Sequence, residues 1–146
     1  MHRERVVITG LGTINALAKN TVDFAHTLRE GLCGIGLVTL FDTAGYRTHT
    51  GAEVRNFTPQ DMIPPQFSLK RMSRADLMAF AATIEALADA RLYPFPDTLR
   101  EETGVVLGAG SGGKLEAEDF YQDYLRRQGR HARFSKLASK IGRAHV

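Results

Sequence analysis

The strongest pattern of apolar and polar positions lies in residues 74–90. Leu77, Phe80, Ala81, Ile84, Leu87 and Ala88 recur at helical spacing and form one stripe. Ser73 stands where an N-cap belongs, and Asp76 follows three residues later, the arrangement of a capping box. A helix over 74–90 is predicted. A shorter helix is predicted from Asn20 or Thr21, either of which can cap it, to Arg29 and Glu30, with Gly31 as its stop. Phe24 and Leu28, four apart, give that helix one apolar edge. A third helix is predicted over about 115–127. Glu116, Glu118 and Asp119 near its start and Arg126 and Arg127 near its end complement the macrodipole, while Ala117, Phe120, Tyr121 and Tyr124 share a face.

Two β-branched runs show no alternation. Val6-Val7-Ile8 leads into Gly10-Leu11-Gly12, and Gly104-Val105-Val106-Leu107 leads into the glycine-rich stretch 108–113. Each run is predicted to be a strand buried on both faces that delivers the chain into a glycine turn. Residues 35–41 and 50–54 are predicted as short strands or extended loops, and 58–67, with Pro59, Pro64 and Pro65, as a connection. Strand, helix, strand, helix in this order implies an α/β layered fold with parallel strands, in which 6–9 and 104–107 are neighbours in one sheet. The chain carries no internal repeat and no low-complexity segment.

Composition bounds the function without defining it. A chain of 146 residues with 43% hydrophobic and 24% charged residues is ordinary for one modest soluble domain. No apolar run is long enough to span a membrane. Arg3 and Arg5 precede an apolar stretch, and Ala16-Leu17-Ala18 has the look of a cleavage site. Thr9, Gly10, Gly12, Thr13 and Asn15 interrupt the stretch and Glu4 sits in its basic segment, which argues against a secretory signal. A single cysteine, Cys33, allows no intrachain disulfide and fits a reducing compartment, so a cytoplasmic location is expected. A net charge of +3 is too small to point to nucleic acid.

Several features invite chemistry and are weighed against plainer roles. Gly10-Leu11-Gly12 invites a dinucleotide-binding reading, which requires a third glycine at position 15; Asn15 stands there, and no acidic residue ends a second strand at the expected distance. A nucleotide-binding module is therefore the weakest alternative. The stretch 108–113 can cradle phosphate at a helix start, but it lacks the Gly-Lys-Ser/Thr ending, because Leu115 follows Lys114. Close approach of its backbone to another chain or a ligand is the favoured explanation. Cys33 lies just past a helix C-terminus, where the dipole disfavours a thiolate, and reads as a turn residue. His2, His26, His49, His131 and His145 include no pair at helical ligand spacing, so no metal site is expected. Arg126, Arg127, Arg130, His131, Arg133 and Lys136 form a basic run, by default a solvated face, with an acidic protein partner as the sharper reading.

Taken in order, these segments resemble the opening of a β-ketoacyl-acyl-carrier-protein synthase. The resemblance is carried by Arg5-Val6-Val7-Ile8-Thr9-Gly10-Leu11-Gly12. It continues in the Gly-x-Ser-Gly-Ile segment at 31–35, with Cys33 in the serine position, and in Phe41-Asp42-Thr43. Gly51 to Val54 with Phe57, Lys70-Arg71-Met72, Ala86-Leu87-Ala88-Asp89-Ala90, and Gly108-Ala109-Gly110-Ser111-Gly112-Gly113, which resembles the family's Gly-Ser-Gly-x-Gly-Gly loop, extend it across residues 3–136. Ser73, where aspartate is common, Asn15 and Lys114 depart from the pattern.

The resemblance implies a thiolase-like layered α/β fold of two related halves in five layers, of which residues 1–139 form an incomplete N-terminal half, usually in a homodimer. It implies decarboxylative Claisen condensation of an acyl thioester with malonyl-acyl carrier protein, in fatty-acid or polyketide biosynthesis, with no cofactor. The nucleophilic cysteine and two histidines of the family lie further along its chain than residue 146, so no catalytic residue is assigned. Ser111, flanked by Gly110 and Gly112, occupies the family position that lines the acyl pocket, where isoleucine or phenylalanine is frequent. The alternative within the family is a non-catalytic subunit like a chain-length factor.

The last seven residues, Lys140-Ile141-Gly142-Arg143-Ala144-His145-Val146, back-translate as AAG ATC GGA AGA GCA CAC GTC. Apart from its first base, this resembles a widely used sequencing adapter. Natural sequence is expected to end near Ser139, with 140–146 derived from linker; the rival is a divergent genuine terminus. Without Lys140 and Arg143, 17 basic residues stand against 16 acidic, and the net charge falls to +1. A partial half of such a fold is expected to leave apolar strand faces and strand edges uncovered.

Overall fold

The computed structural model describes residues 5–70, 72–110 and 113–129. All three predicted helices form: α1 Thr21–Arg29, α2 Arg74–Asp89 and α3 Lys114–Arg126. The predicted connection contains a 3-10 turn, Pro59–Asp61, and a second such turn spans Asp97–Leu99. Two short strands, β1 Ile35–Leu37 and β2 Thr50–Ala52, pair antiparallel with Gly36 opposite Gly51.

The helix ends follow from local chemistry. The Asn20 side chain accepts the Asp23 N–H at 2.7 Å and starts α1. At α2 the Ser73 hydroxyl accepts the Asp76 N–H at 3.2 Å, while Asp76 Oδ2 accepts the Ser73 N–H at 2.9 Å, closing the predicted capping box. Ser73 is fully buried. Serine caps well, so it fills this position as an aspartate would. Gly31, at φ +65°, ends α1: its N–H donates to Leu28 O and that of Leu32 to Thr27 O, the paired bonds of a Schellman motif. α2 and α3 end the same way on Arg91 and Gln128, both at positive φ; α2 has no glycine there, while Gly129 follows Gln128 in α3.

The first amide of a helix has no partner within that helix. In α1 the Thr21 N–H donates to Glu85 Oε1 of α2 at 2.7 Å, and in α2 the Arg74 N–H donates to Glu116 Oε1 of α3 at 2.7 Å. Each of these two helices is thus closed by a carboxylate from the helix that follows it. The apolar stripe of α2 faces inward as expected. Ala81 is buried, Leu77, Phe80, Ile84 and Leu87 are half-buried, and the Phe80 ring meets Phe67 edge-on at 4.9 Å; Ala88, at the stripe's end, is exposed. Ala18 and Ile63 complete the buried apolar set among the described residues.

The two predicted buried strands do not form, and this corrects the sequence reading. Residues 6–9 and 104–107 carry no strand, are not paired with each other, and are exposed, Val6 by 98% and Val106 by 95%. Among the described residues the sheet is the antiparallel pair β1–β2 rather than a parallel one. A central parallel strand needs a hydrogen-bonded neighbour on each edge and an apolar cover on each face. The described residues offer these runs neither, and β-branched composition does not substitute for a partner.

The turn expected at Gly10-Leu11-Gly12 is also corrected. The segment lies flat along α2. A Cβ on Gly10 would stand 2.2 Å from Ala86 O, and one on Gly12 1.9 Å from Ala82 O. Between the glycines, the Leu11 N–H donates to Asp89 Oδ2 at 2.9 Å, and just past them the Thr13 N–H donates to Glu85 Oε2 at 2.8 Å. Small residues one turn apart, at 82, 86 and 90, leave the groove into which this backbone fits.

Candidate functional site

The glycine run 104–113 and the start of α3 were singled out by sequence. Ser111 and Gly112 lie outside the described residues. Gly110 is exposed, and a Cβ added to it, to Gly104 or to Gly108 would meet nothing within 4 Å. Gly113 is buried and serves as the N-cap of α3, with no side chain to offer its amides.

Directly beyond it lies an open cleft of about 340 Å³, between the β1–β2 hairpin and the N-terminal turns of α2 and α3. Its lining is mostly apolar, with Leu40, Phe41, Val54, Met78 and Leu115 among its side chains; Arg74, Lys114, Glu53 and Glu116 supply its charged groups. Arg74 is the hinge of this region. Its guanidinium sits 5.6 Å from the centre of the Phe57 ring and donates to the Val54 carbonyl, while its backbone N–H goes to Glu116. Sequence reasoning missed Arg74, and it credited Glu116 only with complementing its own helix. The available signal was the glycine N-cap at 113, which leaves a glutamate at the third helical position free to reach elsewhere.

Glu53, on the hairpin side of the cleft, is held below the usual carboxylate range. The cause is first the Thr39 N–H, which donates to Glu53 Oε2 at 2.6 Å, and then the Thr39 hydroxyl at 2.7 Å, with a smaller contribution from Arg55.

The other singled-out groups do not gather into a reactive cluster. Cys33 is exposed beside the shallow hollow bordered by Ala16, Thr27 and Arg55. Asn15 uses its side-chain oxygen to accept the Leu17 and Ala18 N–H groups and its amide to reach the Thr13 hydroxyl, so it organises a turn. The Leu11 and Thr13 N–H groups of the first glycine segment are taken by Asp89 and Glu85, so they are not left free to receive a phosphate. Among the described residues no group of three or more His, Cys, Asp or Glu side chains is placed to hold a metal ion, and no helix is long and apolar enough to cross a membrane. Arg126 and Arg127 end α3, where Arg127 pairs with Asp123 at 2.7 Å; the rest of the predicted basic run, Arg130 to Lys136, lies outside the described residues.

What this arrangement belongs to is decided by comparison with known proteins. The family model described as "Beta-ketoacyl synthase, N-terminal domain" matches residues 3–143. The chain belongs to the β-ketoacyl synthase family. Its curated relatives include 3-oxoacyl-[acyl-carrier-protein] synthase 2 of Synechocystis, 34% identical over 119 residues, which cover 82% of this chain and 28% of that protein. The enzyme of the same name from Staphylococcus aureus strain N315 is 34% identical over 110 residues, covering 75% and 26%. Among solved structures, the ishigamide ketosynthase/chain length factor matches with a TM-score of 0.79 at 29% identity, over 96% of this chain and 34% of that one. The fold is therefore that of the thiolase-like ketosynthases, and this β-ketoacyl synthase chain spans between about a quarter and a third of the length of the relatives it matches.

Proposed function

We propose that the protein to which this chain contributes its N-terminal portion is a 3-oxoacyl-carrier-protein synthase, a condensing acyltransferase of fatty-acid or polyketide biosynthesis. The observation that carries the reading is the family match over residues 3–143, joined to relatives that bear the synthase name. In this reaction a cysteine thiolate attacks an acyl thioester, expels the carrier thiol and keeps the acyl group. Malonyl-acyl carrier protein then loses carbon dioxide, and its carbanion attacks the acyl-enzyme carbonyl and releases the cysteine. Two histidines and an oxyanion hole of backbone amides stabilise the developing negative charge. These groups belong to parts of the family past residue 146. The partners are acyl carrier protein, acyl and malonyl thioesters and a second copy of the chain, and the location is cytoplasmic.

The test reads the gene downstream of the Ser139 codon and assays the protein it encodes with acyl- and malonyl-acyl carrier protein. A frame that reaches a cysteine and two histidines, with carbon dioxide release and a 3-oxoacyl product, is expected. A frame that carries all three residues in a folded protein without condensation overturns the reading. The likeness to a ketosynthase/chain length factor favours one second reading, a partner subunit without the nucleophile. Glutamine or another residue in the cysteine's place selects it.

Two consequences follow from the family position of this segment. Ser111 leaves more room and polarity in the acyl pocket than the isoleucine or phenylalanine frequent there, so the full-length enzyme accepts longer, wider or more polar chains. Ser111→Phe shifts its acyl profile toward shorter ones, and identical profiles refute the assignment. The 146-residue chain made alone is inactive and aggregation-prone, because Val6, Val7, Ile8, Val105, Val106 and Leu107 are all exposed. A soluble monomer with a sharp cooperative melt contradicts this.

A further inference from the structure

We draw no further inference here: the strongest candidate, the open and mostly apolar cleft between the β1–β2 hairpin and the first turns of α2 and α3, carries none, because nothing in the structure shows what covers it.

Discussion

Two segments of this chain look alike in sequence and differ in structure. Both are β-branched runs that open into glycines, at 6–12 and at 104–113. In the first, the glycines are demanded from within, because the α2 backbone lies where their side chains would be, and Asp89 and Glu85 take the Leu11 and Thr13 amides. In the second, a Cβ added to Gly104, Gly108 or Gly110 would meet nothing within 4 Å among the described residues. The same pattern thus serves a contact the chain makes with itself and, on the family reading, one made with what lies outside it. Glycine spacing tells that a backbone must come close to something; only the fold tells to what.

The largest effect that tests this contrast is expected at Gly12. In the full-length protein Gly12→Ala destabilises by at least about 3 kcal/mol in chemical denaturation, because its Cβ meets the backbone of a packed helix rather than a movable side chain. Gly110→Ala adds a Cβ that meets nothing within 4 Å among the described residues, so a cost above about 1 kcal/mol measures the contact made outside them. A Gly12→Ala cost below about 1 kcal/mol breaks the comparison.

A smaller effect is expected at Glu85, which takes the Thr13 N–H, the Thr21 N–H at 2.7 Å and the Thr21 hydroxyl at 2.9 Å. Glu85→Ala strands three donors and costs about 2–3 kcal/mol, whereas Glu85→Gln retains an acceptor and costs about half as much. If both variants match wild type, Glu85 contributes nothing to holding the first glycine segment.

The smallest effect sharpens the cleft side of the comparison. The bonds from Thr39 depress the Glu53 pKa in the folded state, so its contribution is present above the unfolded pKa and is lost as pH falls through the lowered folded value. Thr39→Val removes the hydroxyl and keeps the N–H. In a carboxyl titration followed by NMR, Glu53 then moves part of the way back toward its ordinary value. No movement shows that the hydroxyl bond contributes nothing.

Much of the fold was legible because it is local. The stripe of α2, the Ser73–Asp76 box, the Asn20 cap and the Gly31 stop each rest on contacts within one or two turns, and all are found where predicted. The family likeness was legible for a different reason: a sequence of short motifs in fixed order survives even where no single one is decisive. Illegible were the positive-φ stops at Arg91 and Gln128, which unbranched residues such as these can occupy at modest cost once the helix end is held by the surrounding fold.

The sequence by itself determined which segments become helices, where they begin, and which family the chain joins, since periodicity, caps and motif order are properties of neighbours along the chain. Tertiary structure alone decided that Gly10 and Gly12 press on α2, that Glu85 and Glu116 cap helices other than their own, and that residues 6–9 and 104–107 stay unpaired. Those outcomes depend on groups dozens of residues away, and a strand exists only when a neighbour completes its ladder.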